Sequence, residues 1–250
     1  MKMQELLTKI NENPLPTHVA LILDGNGRWA KKRMLPRTFG HKKGAETFRE
    51  IIKTASNLGI KYLTTFAFST ENWSRPKQEV DFIMNEIINL CGDWKKLMKQ
   101  DTKLMVIGTR NNVPQNVLDA LDTVSEKTKN CNKMTLLIAF NYGAKEELIH
   151  ATKEIAKLVK DGSLDVEDIN EETFENHLYT KDIPPVDLLI RTSGENRISN
   201  FMLWQISYAE FYFPKTYFPD FDEQEFEIAL LEYNKRDRRF GGIKYENKNN

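Results

Sequence analysis

Five short apolar runs recur along the chain, HVALIL (18–23), YLTTFAF (62–68), KLMVIG (103–108), MTLLIAF (134–140) and VDLLI (186–190), and longer segments of helical period lie between them. A strand with one wet face alternates apolar and polar residues, so runs as continuously apolar as these read as strands covered on both faces. The segments between supply the cover. Residues 41–57 carry Phe48, Ile51, Ile52 and Ala55 on one stripe; residues 79–98 carry Val80, Ile83, Met84, Ile87, Ile88, Cys91 and Trp94; residues 144–159 carry Leu148, Ile149, Ile155, Ala156 and Val159. The alternation predicts an α/β fold, a central and mostly parallel sheet surrounded by helices. At 250 residues the chain fits one large domain. The expected division is an N-terminal helical segment (1–17), the domain itself (18–242) and a disordered polar tail (243–250).

Composition removes several function classes. Lys plus Arg and Asp plus Glu number 36 each, so no global charge recruits nucleic acid or an anionic membrane, and any anion site must be local. Cys91 and Cys131 form no C-x-x-C pair, which argues against zinc or a disulfide framework and suits a reducing cytosol. No apolar segment has signal-peptide character or membrane-spanning length, so a soluble, cytoplasmic protein is expected.

In parallel-sheet folds ligands bind beyond the carboxyl ends of the strands, so the segments following the strands should be chemically committed. Three are: DGNGRWAKKRMLPRTFGH (24–41), STENWSRP (69–76) and RTSGENRISNF (191–201). Arginine recurs in all of them, as Arg28, Arg33 and Arg37, then Arg75, then Arg191 and Arg197. Its planar fork of donors matches phosphate oxygens, and Ser69, Thr70, Ser193 and Ser199 add hydroxyl donors, so the set describes a polyanion site. Interleaved acids, Asp24, Glu71, Glu195 and Glu210, would repel that ligand unless they hold magnesium, orient an arginine or handle a proton. The GNGRWA turn also fits the loose G-x-G-x-x-G/A pattern of dinucleotide folds, which keeps a Rossmann oxidoreductase open as an alternative. Asp24 in front of it favours a metal–diphosphate site, with a turn-capping role as the plainer reading. There is no P-loop, no G-x-S-x-G elbow and no metal-ligand spacing among the four histidines, of which only His41 lies in a loop of interest. Core packing accounts for most of the aromatics near the strand ends, yet an apolar wall from 79–98 beside diphosphate-binding loops suits an isoprenoid diphosphate.

The segments HVALILDGNGRWAKKR, TFAFSTENWSRP, NYGAKEEL, DLLIRTSGENRISNFMLWQISYAEFYF and RDRRFGG closely resemble, in that order, the signature segments of the cis-prenyltransferases, the undecaprenyl diphosphate synthase family. The resemblance runs from about residue 18 to 242. It implies repeated condensation of isopentenyl diphosphate onto an allylic diphosphate such as farnesyl diphosphate, each new double bond being cis, with undecaprenyl diphosphate for cell-wall assembly as the usual bacterial product. It implies also a Mg2+ cofactor, a homodimer and an elongated apolar tunnel for the growing chain. The D-D-x-x-D motif of trans-prenyltransferases is absent. Residue by residue, Asp24 matches the aspartate associated with magnesium and diphosphate departure. Gly25, Asn26, Gly27 and Arg28 match the loop around the allylic diphosphate, with Arg37 and His41 as further contacts and Trp29 as a substrate-contacting aromatic. Ser69, Thr70 and Glu71 match the second loop; Asn72 matches a residue assisting proton removal, and Trp73 and Arg75 match substrate contacts. Arg191, Arg197 and Ser199 match the grip on isopentenyl diphosphate, and Glu210 matches a second magnesium ligand, supplied across the dimer in one arrangement. A catalytically silent prenyltransferase-like subunit is the rival within the family, and transient peripheral membrane contact is expected at product release.

Overall fold

All five anticipated strands form, and a sixth joins them. The computed structural model describes residues 8–10 and 14–236. In it β1 (His18–Ile22), β2 (Tyr62–Ser69), β3 (Thr102–Ile107), β4 (Met134–Tyr142), β5 (Leu188–Arg191) and β6 (Glu210–Tyr212) make one sheet in the order β3-β4-β2-β1-β5-β6. Every pairing is parallel. Successive side chains point to opposite faces, and both faces are covered. Val19, Leu21, Leu136, Ile138, Leu188 and Ile190 enter one core, while Ala20, Ile22, Leu137, Ala139 and Leu189 enter the other. That double burial is why the runs lack alternation.

The helices are α1 (Asn26–Lys32), α2 (Arg37–Leu58), α3 (Lys77–Gly92), α4 (Trp94–Lys99), α5 (Gln115–Thr128), α6 (Ala144–Lys160), α7 (Glu171–Glu175) and α8 (Glu223–Asn234). The stripe expected on 41–57 is buried in full. The single helix expected over 79–98 is two: the chain breaks at Asp93, whose carboxylate holds Arg49 at 2.7 Å and Lys96 at 2.8 Å. On α6 the expected stripe is wrong in part. Ile149 is 56% exposed, and the buried face is Ala144, Glu147, Ala151 and Ile155. Glu147 takes a core position because its carboxylate accepts from the Tyr142 hydroxyl (2.5 Å), the Tyr179 N–H (2.9 Å) and the Gln205 amide (3.1 Å), which compensates its desolvation. The expectations for 1–7, for 11–13 and for the tail at 243–250 lie outside the described residues, as does most of RDRRFGG.

From β1 the chain moves towards β2 on one side, and from β5 it moves towards β6 on the other. The topological switch point therefore falls between β1 and β5, where such sheets open a crevice at their carboxyl edge. Of the three chemically committed loops, the first and third leave from these two strands.

Candidate active site

Asp24 stands over the switch point and is fixed there by its backbone. Its N–H donates to the Thr192 hydroxyl oxygen (3.0 Å), the Thr192 hydroxyl donates to its carbonyl (2.7 Å), and the Phe218 N–H donates to the same carbonyl (3.0 Å). The next residue, Gly25, has φ +104°, a left-handed conformation in which any Cβ would also lie 2.8 Å from the Tyr217 ring. So held, the Asp24 carboxylate accepts from Arg28 on one oxygen (2.9 Å) and from Arg191 on the other (2.8 Å). Burial pushes its pKa up, but the hydrogen bonds and charges of Arg191 and Arg28 outweigh that and keep it below the ordinary value. Asp24 is ionised at neutral pH.

Arg191, at the end of β5, is only 4% exposed. It donates to Asp24, to Ser199 Oγ (2.8 Å) and to the Arg197 carbonyl, while its Nε makes no hydrogen bond among the described residues. Arg28 also donates to Ser193 Oγ (2.5 Å) and pairs with Glu195, which in turn pairs with Arg197. Three guanidiniums thus share two carboxylates, which leaves one net positive charge. The loop that arranges them is strained: Ser193 (φ 74°), Ser199 (φ 50°) and Asn200 (φ 62°) all lie in the left-handed region, at roughly 1–3 kcal/mol each. Strain of this kind is retained where the fold over-determines the geometry.

Asn200 links the third loop to the second. Its amide donates to Glu71 (3.0 Å), and its Oδ1 accepts the Lys145 N–H at the start of α6 (2.9 Å). Burial pushes the Glu71 carboxyl up, but bonds led by that from Asn200 hold it below the ordinary range. The first loop meets the second at Glu79, which is nearly buried and accepts on one oxygen from Arg75 (3.0 Å), Arg37 (3.1 Å) and His41 Nε2 (3.3 Å). For Glu79, too, burial raises the pKa and the cations, Arg37 first, bring it below the usual value. Burial lowers the His41 pKa, Glu79 resists, and Arg75 and Arg37 push the same way as burial. His41 is a neutral imidazole donating its Nε2–H.

The three loops enclose one cavity of about 730 Å³. Its polar end carries Asp24, Asn26, Ser69, Glu71, Asn72, Arg75, Arg191, Arg197, Ser199 and Asn200, and its depth carries Ala45, Phe48, Ile83, Ile87, Leu90 and Ile138. Three buried polar atoms without a partner among the described residues, Asn26 Oδ1, Thr65 Oγ1 and Arg191 Nε, belong to residues of this lining. Buried polar groups are otherwise nearly always paired, so these are groups a ligand can satisfy.

Other sequence-predicted residues are placed differently. Asn72 lines the cavity, but its Oδ1 already accepts the Ser69 N–H (3.3 Å) in a reciprocal cap, and Thr70 donates to Glu71 (3.2 Å). Gly27 lies under the Arg37 guanidinium, which a Cβ there would meet at 2.8 Å. Trp29 gives its indole N–H to Asp220 (2.7 Å) beneath Arg33, and Trp73 gives its own to Asn141 (2.8 Å) while packing edge-on against Phe68. Neither tryptophan is among the cavity-lining residues. Glu210 begins β6 in register with Leu188, at the end of β5 opposite Arg191, and is paired with Arg236 (2.7 Å). The parallel register keeps it about 10 Å along the sheet from the Arg191 level, so one chain does not bring Glu210 to Asp24. Thr192, Glu79 and Asn200 were not singled out from the sequence. Only Glu79 carries a local signal, four residues after Arg75.

Among the described residues no three His, Cys, Asp or Glu side chains gather into a metal cage. An ionised Asp24 at the polar end nevertheless fits the mode in which magnesium takes one or two carboxylates and completes its shell with substrate phosphates.

The family model for undecaprenyl diphosphate synthase matches residues 22–241. The chain belongs to this prenyltransferase family. It is 48% identical over 234 residues to the isoprenyl transferase of Fusobacterium nucleatum, covering 93% of this chain and 99% of that one. It is also 48% identical to the isoprenyl transferase of Thermotoga maritima over 230 residues, 92% and 98% of the two chains. Among solved structures, lavandulyl diphosphate synthase from Lavandula x intermedia, in complex with dimethylallyl diphosphate, superposes with a TM-score of 0.89 at 41% identity, covering 91% of this chain and 98% of that one. A probable undecaprenyl diphosphate synthase from Campylobacter jejuni superposes at 0.75 with 34% identity, covering 92% and 99%.

Proposed function

We propose that the chain is a cis-prenyltransferase that condenses isopentenyl diphosphate repeatedly onto farnesyl diphosphate, giving a Z-polyprenyl diphosphate of undecaprenyl length for the cell-wall lipid carrier. The observation that carries this reading is Asp24, bound on one oxygen by Arg28 and on the other by Arg191. Each arginine marks one diphosphate. The Gly25–Arg28 turn with Arg37 and His41 takes the allylic substrate, and Arg191, Arg197 and Ser199 take isopentenyl diphosphate. Holding two such anions together needs concentrated positive charge, and the arginines supply it: Arg191 from the end of β5, Arg28 and Arg37 from the starts of α1 and α2, and Arg197 from the third loop.

As the allylic carbon–oxygen bond breaks, charge accumulates on the departing diphosphate, and donors already oriented for that charge stabilise the transition state more than the ground state. Asp24 would hold Mg2+ together with phosphate oxygens, and the ion, when bound, further neutralises the leaving group. The proton lost from the carbon beside the new bond goes to the departing diphosphate. Asn72, a weak base with its Oδ1 already engaged, orients the reacting atoms. The apolar depth of the cavity receives the primer and begins the tunnel for the growing chain.

The edge strand β6 exposes Phe211, and Tyr208 beside it is 69% exposed. An edge strand with exposed apolar side chains suits pairing with a second copy, so we read the active species as a homodimer in which Glu210 serves the neighbouring site. Among the described residues no helix is long and apolar enough to cross a membrane. Cytoplasmic synthesis with transient membrane contact at product release is consistent with that.

The test is incubation of the gel-filtered protein with farnesyl diphosphate, radiolabelled isopentenyl diphosphate and Mg2+, beside a chelator control. The reading predicts a metal-dependent ladder of products from the fraction eluting at twice the 29.2 kDa chain mass. No incorporation by that folded fraction would overturn it in favour of the silent subunit.

A further inference from the structure

From Gly25 to Ala45 the chain carries seven Lys or Arg residues and no Asp or Glu, although its overall charge is zero. The stretch is the hairpin of α1 and α2. Arg28, Arg33 and Arg37 are paired with carboxylates and Lys43 with Glu46, whereas Lys31, Lys32 and Lys42 are exposed and have no ion-pair partner among the described residues. Between these lysines, at the tip of the hairpin and just after it, stand Met34 at 95% exposed, Leu35 at 37% and Phe39 at 54%. The tip is an ordered turn: the Leu35 N–H donates to the Ala30 carbonyl (2.9 Å) and the Met34 N–H to the Lys31 carbonyl (3.1 Å), the paired bonds of a Schellman helix end. That motif puts Met34 at φ 57°, a position where glycine is the usual choice. Met34 thus accepts a left-handed backbone, and at 95% exposed it has almost no packing to offset the strain.

We propose that this hairpin tip, with Met34, Leu35 and Phe39 as an apolar wedge and Lys31, Lys32 and Lys42 around it, seats on an anionic lipid bilayer. The inference gives a surface to the membrane contact of the proposed function and rests on the prenyltransferase reading for its purpose. A bilayer is the occupant because residues 31–37 are all exposed, so the tip is convex and offers no groove for a peptide or a second copy, whereas lipid closes around a convex apolar wedge. The charge agrees. A leaflet bearing anionic headgroups attracts lysines at its surface, and the lysines beside the wedge are the ones without carboxylate partners among the described residues. Interfacial segments of this kind reach about 5–10 Å into the boundary between headgroups and acyl chains. Asn26 and His41, which line the cavity, belong to the two helices of the same hairpin, and Asn26 is about 9 Å back along α1 from Lys32. The seated tip therefore holds the polar end of the cavity near the membrane surface, where a prenyl product too apolar for water can pass to lipid.

The experiment is cosedimentation of the purified full chain with phosphatidylcholine vesicles, with and without phosphatidylglycerol, for wild type, the double variant Lys31→Gln/Lys32→Gln, and Met34→Gly. Wild type is expected to bind the anionic vesicles and to be released by salt. Each lysine near such a surface strengthens binding about fivefold, so the double variant should lose about tenfold or more of the partition coefficient. Met34→Gly should bind severalfold more weakly yet unfold at an equal or higher denaturant concentration, because glycine accepts the left-handed position without strain. A wild type that stays in the supernatant, or two folded variants that bind as wild type does, overturns the inference. Loss of self-association in the variants, in place of loss of vesicle binding, would make the tip a protein contact and overturn it equally. Incorporation of labelled isopentenyl diphosphate, measured without vesicles, tests the prenyltransferase reading by itself, so the two fail separately.

Discussion

A carboxylate between two guanidiniums keeps its pKa below the ordinary value although burial pushes it up, and Asp24 and Glu79 both use this device at the proposed site. His18, at the opposite end of β1, shows the reverse case. It is fully buried, its Nδ1–H donates to the Pro184 carbonyl (2.8 Å), and its Nε2 accepts from the Thr64 hydroxyl (2.7 Å), so the neutral ring is satisfied. Burial is the chief cause that lowers its pKa to about 4, against small opposing contributions from Pro184 and Asp187. The unfolded chain takes up this proton near pH 6.5 and the folded chain not until about 4, so the stabilising contribution is complete above 6.5 and is lost as pH falls. The loss reaches about 3 kcal/mol by pH 4. Urea denaturation between pH 7 and pH 4 should show this decline, and His18→Gln should flatten it. An equal slope in the variant would mean that other groups carry the acid dependence.

At the scale of elements, the first loop is positioned by the close crossing of α1 and α2. A Cβ on Gly40 would lie 1.9 Å from the Asn26 carbonyl oxygen, a backbone atom that moves only if α1 moves. Gly40→Ala should therefore destabilise by about 1–3 kcal/mol. It should also raise the KM for the allylic primer, because the 25–28 turn shifts with α1. An unchanged denaturation midpoint and KM would show that the crossing has slack. Elements of this kind differ in how plainly they are written. The β runs were legible because up to five apolar residues in succession, as in VALIL (19–23) and LLIAF (136–140), are too short for a buried helix and are covered on both faces. The short β6 and the weakly amphipathic α8 were not anticipated, nor was α5, although Val117, Leu121 and Val124 make its buried stripe. The break falls at the Gly92–Asp93 pair, a local signal that the apolar stripe running through it overrode, and the Asp93 carboxylate there is held by Arg49, 44 residues away.

At the scale of the whole molecule, the sheet order places the first and third loops at the switch point, and the sequence could state only that they leave strand ends. Asp24, Arg28, Arg191 and Arg197 were legible because charge follows directly on apolar runs. Thr192 and Asn200 were not, since their roles exist only through Asp24 and Glu71, 168 and 129 residues away. Trp29 and Trp73 carried the family pattern, while the structure turns their indoles to Asp220 and Asn141. Glu210 shows the same limit, because its place at one end of β6 is a matter of register. The central claim is that Asp24 stands between two diphosphate subsites, one marked by Arg28 and the other by Arg191 with Arg197. The most direct test is to measure KM for both substrates in Arg197→Ala and Arg28→Ala. Loss of a charge-assisted bond should raise the KM of isopentenyl diphosphate alone by about ten- to a hundredfold in Arg197→Ala, and that of the primer in Arg28→Ala. Unchanged constants in both folded variants, or equal changes for both substrates in each, would contradict a two-subsite arrangement around Asp24.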